Sequence, residues 1–146
     1  MQIEDRALSV FRKLADRPEE DIDLGRSALA IALNVYPDLD IEEQASRFDF
    51  LTNEIREHLP ETGEPQEMVE SLCTYLFALC GFHGNTEEYY DPRNSFLNDV
   101  LDRRAGIPIT LSILVMEISR RCGLPLFGVS MPGHFLVKYE DYKTEF

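Results

Sequence analysis

Tryptophan is absent from this 146-residue chain, cysteine occurs only three times, and cations are about half as common as anions, 14 against 27. Each shortage removes a class of function. Cys73, Cys80 and Cys122 are an odd number with no paired spacing, which argues against a disulfide framework and fits a reducing compartment. A formal net charge of −13 argues against a nucleic-acid partner, because every phosphate contact needs a Lys or Arg. No stretch approaches the roughly 20 apolar residues of a membrane span. Residues 1–12 hold charges and no apolar run, so they do not resemble a signal peptide. A cytoplasmic protein is expected, with no membrane partner. His83 lies near Cys80, Glu87 and Asp91 in the sequence, but a loop histidine beside solvated carboxylates accounts for it, and neither a metal nor a cofactor is expected.

What remains is an ordinary globular composition, 44% hydrophobic, long enough for one domain or two small lobes sharing a core. The charge is lopsided. Residues 1–70 carry 18 acidic and 7 basic side chains, the rest 9 and 7. The acidic front is either a solubilising surface or a docking face for a basic partner.

Apolar spacing predicts a helix over 3–16. Asp23 caps a second helix through Tyr36, with Leu24, Ala28, Ile31, Ala32 and Val35 on its buried stripe. Asp40 and Glu43 open a third helix to about Leu59, and a fourth runs from about Gln66 to Cys80 before Gly81. Asp91-Pro92 starts a short helix that ends near Arg104. Pro108 opens a further one to Cys122, with Leu111, Leu114, Val115, Ile118 and Cys122 at helical spacing. Two strands follow, 126–130 and 134–139, joined by Met131-Pro132-Gly133. A lone hairpin is marginal in water, so a further strand outside this chain, or a partner on the open edge, is expected.

The runs Tyr90-Asp91-Pro92-Arg93-Asn94-Ser95-Phe96-Leu97-Asn98, Arg104-Ala105-Gly106-Ile107-Pro108-Ile109-Thr110-Leu111, Gly123-Leu124-Pro125 and Pro132-Gly133-His134-Phe135-Leu136-Val137 closely resemble the SirB family, a branch of the transglutaminase-like superfamily. Residues 28–32 and 36–40 are similar to that family's helical front. The resemblance covers about 23–139. It implies a papain-like core in which a loop opens a buried helix, a cysteine sits at the helix's first turn, and a histidine stands at the start of a following strand. It also implies bacterial relatives that carry tetratricopeptide repeats further along, and a place for the domain in some F-box proteins. With Gly106 and Gly123 as anchors, the cysteine position falls on Pro108 and the histidine on His134. The superfamily's aspartate lies on a strand beyond this chain.

Acyl transfer by that route needs a thiolate with a base beside it. Pro108 cannot attack. Cys122 stands at the far end of its helix, about 18 Å away at 1.5 Å per residue. Cys73 and Cys80 read as small packing residues. The candidates for catalysis are therefore His134 and Thr110 alone. The binding candidates are Asn94, Ser95, Asn98, Arg104, Thr110 and His134. Asn94 and Asn98, one helical turn apart with Ser95 beside them, wall a cleft that faces Thr110 and His134 and clamps an extended peptide, or else Asn94 and Ser95 cap the first-turn amides near Asp91. His134 is either a satisfied structural histidine or a retained cleft residue.

The expectation is an α+β protein: a mainly helical lobe over 1–83 packed on a truncated transglutaminase-like (papain-like) core with a short antiparallel sheet over 84–146. The leading function is non-catalytic, with the old cleft binding a protein or peptide partner. One rival is a hydrolase or amide-modifying transferase using Thr110 and His134. The other is an acidic scaffold whose front helices, residues 38–57 above all, bind a basic partner.

Overall fold

Helices begin where the sequence supplies caps. Asp23 accepts the Arg26 amide at 3.0 Å and opens α2 (Leu24–Ile31). Asp40 accepts the Glu43 amide at 3.2 Å and opens α3 (Ile41–His58). Pro65 and Pro108 take the first positions of α4 (Pro65–Thr74) and α6 (Pro108–Arg121), where an amide would have no intrahelical partner. α1 (Ile3–Ala15) precedes them and α5 (Leu97–Arg103) lies between α4 and α6. The structure is a computed structural model that describes residues 3–61, 63–131, 134–141 and 143–146, with side-chain surroundings described outside 3–5 and 130–135.

Three helices depart from the sequence expectation. α2 ends at Ile31 and tightens into a 3₁₀ turn over Ala32–Asn34 instead of running to Tyr36. Its buried residues are Gly25, Ser27, Leu29 and Ala30, whereas Ile31 and Val35 on the expected stripe are 46% and 52% exposed. α2 packs against α1, α3 and α6 together, so more than one stripe is covered. α4 gives way after Thr74 to a π-helical turn, Tyr75–Leu79, closed by the Cys80 amide on the Tyr75 carbonyl at 2.8 Å. The helix expected from Asp91 is broken. Pro92–Ser95 is a 3₁₀ turn, Phe96 is extended (φ −106°, ψ 119°), and only then does α5 begin.

Two short sheets complete the fold. β1 (His83–Gly84) pairs in parallel with β2 (Ala105–Gly106), a contact within segments that the sequence reads as loop. β3 (Leu126–Met131) and β4 (His134–Tyr139) form the expected antiparallel hairpin, with Val129 opposite Leu136. The Pro132-Gly133 connector lies outside the described residues. Leu126 and Tyr139 face the core, while Phe127 and Leu136 are each 49% exposed on the other face.

One apolar cluster joins Leu29 of α2, Phe48 and Ile55 of α3, Leu72 of α4, Val100 of α5, Leu114 and Ile118 of α6 and Tyr139 of β4. The result is a mainly helical α+β arrangement wrapped around α6. Among the described residues no helix is long and apolar enough to cross a membrane.

Candidate functional site

The loop before α6 makes a close approach that dictates its residues. Gly106 sits where an added Cβ would stand 2.8 Å from the Thr110 hydroxyl, so a side chain there would evict it. Ile107 is extended, and Pro108 begins the helix exposed to solvent. Thr110, two residues on, is buried. Its hydroxyl accepts the Ile107 amide at 3.1 Å and donates to the Asn94 carbonyl at 2.8 Å. Both its proton and a lone pair are therefore committed to the backbone.

Asn94 is buried at 1% exposure and works inside its own loop. Its Nδ2 donates to the Glu88 and Tyr89 carbonyls at 2.9 and 3.0 Å, and its Oδ1 accepts from Asn85 Nδ2 at 3.0 Å. Asn85 also accepts the Glu88 amide and donates its own amide to Gly106. Asn85, Asn94 and Thr110 thus lash the 84–96 loop to the first turn of α6. The Asn94 side chain binds carbonyls, not the first-turn amides that capping would require. Asp91 accepts the Arg93 amide and pairs with its guanidinium at 2.7 Å, which holds the carboxyl well below the usual carboxylate range. The loop so held presents Tyr90, 92% exposed, edge-on to Tyr89 at 5.2 Å.

The other candidates are dispersed. Asn98 lies on α5, separated from Asn94 by the extended Phe96, so the two do not share one helix. It is buried, and its Oδ1 has no hydrogen-bond partner among the described residues. Ser95 is exposed. Arg104 adopts a left-handed conformation (φ 56°) that ends α5. Its guanidinium donates to the Cys80 carbonyl and lies over the Phe82 ring at 5.6 Å. His134 opens β4 opposite Met131, and its side chain lies outside the described ones. The structure therefore joins Thr110 to Asn94, on separate elements from Asn98 and Arg104.

No described thiol stands at the start of α6. Cys73, Cys80 and Cys122 are free and half-buried in α4, at the end of the π turn and at the far end of α6. Burial pushes the Cys73 thiol up, and burial raises Cys122 as well against a smaller opposing pull from Arg56. Among the described residues no three His, Cys, Asp or Glu side chains gather as a metal site. His83 is exposed, its Nδ1 donating to the Gly81 carbonyl at 2.9 Å.

One ionic group escaped the sequence reading. Glu117, fully buried on α6, accepts Arg120 Nη2 at 2.8 Å and Arg121 Nε at 2.9 Å on Oε1, and the Gly25 amide at 3.3 Å on Oε2. Arg121 also pairs with Asp49 and stands 5.4 Å over the Phe48 ring. The carboxylate thus ties the core helix to the first turn of α2, where the helix dipole favours negative charge. The available signal was a single acid inside an apolar helix with arginines three and four residues on.

Comparison with known proteins adds a family. A UPF0162 protein of Xylella fastidiosa is 43% identical over 141 residues, covering 93% of this chain and 48% of its own length. A UPF0162 protein of Vibrio cholerae is 31% identical over 124 residues, 85% of this chain and 46% of its own. Human F-box only protein 21 is 37% identical over 73 residues, 50% of this chain and 12% of its own. The chain spans about half the length of the UPF0162 relatives it matches first. No solved structure matches it. The transglutaminase-like family model fits residues 42–146, which contain α3 through β4 and the loop-and-helix geometry around Pro108, and the chain accordingly belongs to the transglutaminase-like superfamily.

Proposed function

We propose that this chain is a non-catalytic member of the SirB branch of the superfamily, in which the surface around the first turn of α6 binds an extended segment of a partner protein. The observation that carries the reading is the state of that first turn. Pro108 offers no nucleophile, and the Thr110 hydroxyl two residues on spends its proton on the Asn94 carbonyl and accepts the Ile107 amide. A thiolate, a base and an orienter are what the superfamily's chemistry requires, and the thiolate has no source there.

Two features support binding in place of turnover. The loop bonds of Asn85 and Asn94 preorganise the Tyr89–Tyr90 shoulder, so little ordering entropy is lost when a partner docks. Tyr90 and Ile109 are exposed apolar surface, at 92% and 48%. In this reading residues 1–83 form the helical lobe that buttresses the core of 84–146, and His134 is a binding residue.

The test is a partner pull-down followed by titration with the recovered segment. Tyr90→Ala and His134→Ala, each shown to be folded by circular dichroism, should weaken binding about tenfold. Unchanged affinity in both would overturn the reading. So would turnover of a peptide or glutamine substrate that His134→Ala abolishes in a folded protein.

A further inference from the structure

A second surface, remote in sequence from the α6 start, carries its own recognition chemistry. An open groove of about 570 Å³ is lined by His58 and Pro60 at the end of α3, by Glu67, Glu70, Ser71 and Thr74 along α4, and by Tyr75 and Leu79 of the π turn. The sequence explains how it arises. Positions 67, 70, 71 and 74 recur at helical spacing on one face of α4, while Leu72 and Leu76 on the opposite face are fully buried in the core. Were α4 to continue as an α-helix, Leu79 would follow Leu72 and Leu76 toward the core. The π turn inserts an extra residue, and Leu79 emerges 67% exposed.

The groove is aromatic on one side and anionic on the other. The His58 and Tyr75 rings lie 4.8 Å apart, His58 fixed by Nδ1 donating to the Glu54 carbonyl and Tyr75 by its hydroxyl to Glu54 Oε2 at 3.3 Å. Glu67 and Glu70 are exposed neighbours along the α4 rim. The charge of this region has one sign. Between Arg56 and Arg93 the chain contains no Lys or Arg, whereas it holds Glu57, Glu61, Glu64, Glu67, Glu70, Glu87, Glu88 and Asp91. No lysine or arginine of that stretch can neutralise the rim from within.

We propose that this groove docks a basic, partly apolar segment of a partner protein. A Lys or Arg side chain lays its aliphatic stem along Leu79 and the Tyr75 ring and places its cation between Glu67 and Glu70, with cation–π attraction to Tyr75 adding to the ion pairs. Apolar neighbours in the same segment cover Leu79. An acidic peptide or a nucleic acid meets repulsion here, and a second copy of this chain, itself −13, is disfavoured for the same reason. The proposal is independent of the α6 surface, since none of its residues belongs to that set.

The experiment titrates the full chain with a fluorescein-labelled 12-residue peptide of alternating leucine and lysine, read by anisotropy at 50 and 200 mM salt. The expected result is saturable binding that weakens with salt. It should fall at least tenfold in Glu67→Lys/Glu70→Lys and at least threefold in Leu79→Ser. Glu19→Lys/Glu20→Lys, the same change in net charge on the connector between α1 and α2, should lose less than threefold. Equal losses in the two charge-reversed proteins would overturn the proposal in favour of general attraction to an acidic surface. It is equally overturned if an oligolysine of the same length binds as tightly as the mixed peptide and ignores Leu79→Ser. Self-association by light scattering that the groove variants abolish would assign the groove to a second copy instead. All substituted positions are exposed, and matching melting curves confirm that each variant is folded.

Discussion

The Glu117 carboxylate and the Gly25 amide meet 3.3 Å apart, on helices that are 92 residues distant in the sequence. Glycine is required at this contact, because a Cβ on residue 25 would stand 2.9 Å from both the Glu117 side chain and the Phe48 ring. A buried charge and a missing side chain thus depend on one another.

Removing the charge should be costly. Glu117→Ala strips the partner from Arg120, Arg121 and the Gly25 amide and is expected to destabilise by about 3 kcal/mol, toward the low end for a broken buried pair because Arg120 can return to water. Glu117→Gln keeps an acceptor for the amide and should cost about 1–2 kcal/mol. Urea unfolding measures both: an unchanged stability in Glu117→Gln would show that the charge contributes nothing beyond shape, and equal losses that shape adds nothing to the charge.

Gly25→Ala pits propensity against packing. Alanine gains up to about 1 kcal/mol within a helix. The overlap with Glu117 and Phe48 costs about 1–3 kcal/mol, and since both contacts are in the closed core the packing loss should win. A melting temperature that rises in Gly25→Ala would refute this.

Thr110→Val preserves shape and deletes the hydroxyl, leaving the Asn94 carbonyl and the Ile107 amide without their partner. The expected loss is about 1–3 kcal/mol. Faster amide exchange should appear at Ile107 and across 84–96, while Thr110→Ser should stay close to the parent. Unaltered exchange in the valine variant would mean that the hydroxyl does not hold the loop.

The Tyr139–Asp141 hydrogen bond, 2.6 Å long, sets two pH limits at the C-terminal hairpin. The tyrosine hydroxyl is the main cause that lowers the Asp141 carboxyl, so its contribution is complete above the ordinary value near 3.9 and disappears as pH falls through the lower folded value. The same bond pushes the Tyr139 phenol up to about 12. That contribution is whole below the ordinary tyrosine value of about 10 and is lost as pH climbs toward the folded one. Tyr139→Phe should narrow the protected range of the β4 amides from both sides, read by amide exchange against pH.

The legible parts of the fold were those governed by local rules. Asp23 and Asp40 start helices because a carboxylate accepts a first-turn amide in the same way wherever it occurs, and Pro108 because it fills a first position where no amide is needed. The β3–β4 hairpin followed from its apolar strands. The π turn after Thr74 and the β1–β2 pair are set by tertiary packing, which no local spacing reports. The Asn94–Asn98 face failed because Phe96 turns extended between two short helical pieces, and helical periodicity assumes that no such break occurs. Within the site, Thr110 and Asn94 were both expected as binding residues, whereas their hydrogen bonds run into the loop's own backbone, a fact that depends on where Glu88 and Tyr89 are carried by the chain.

The parallel contact of His83–Gly84 with Ala105–Gly106 brings the polypeptide back beside itself, so everything between forms a ring cinched at its neck by the His83 amide on the Arg104 carbonyl and the Asn85 amide on the Gly106 carbonyl. A ring of that kind survives being cut. Were a protease to nick it at the solvent-facing Tyr90, both new ends would stay anchored, one by Asn85 and the other by Asn94, and the severed pieces would remain associated as a stable non-covalent pair.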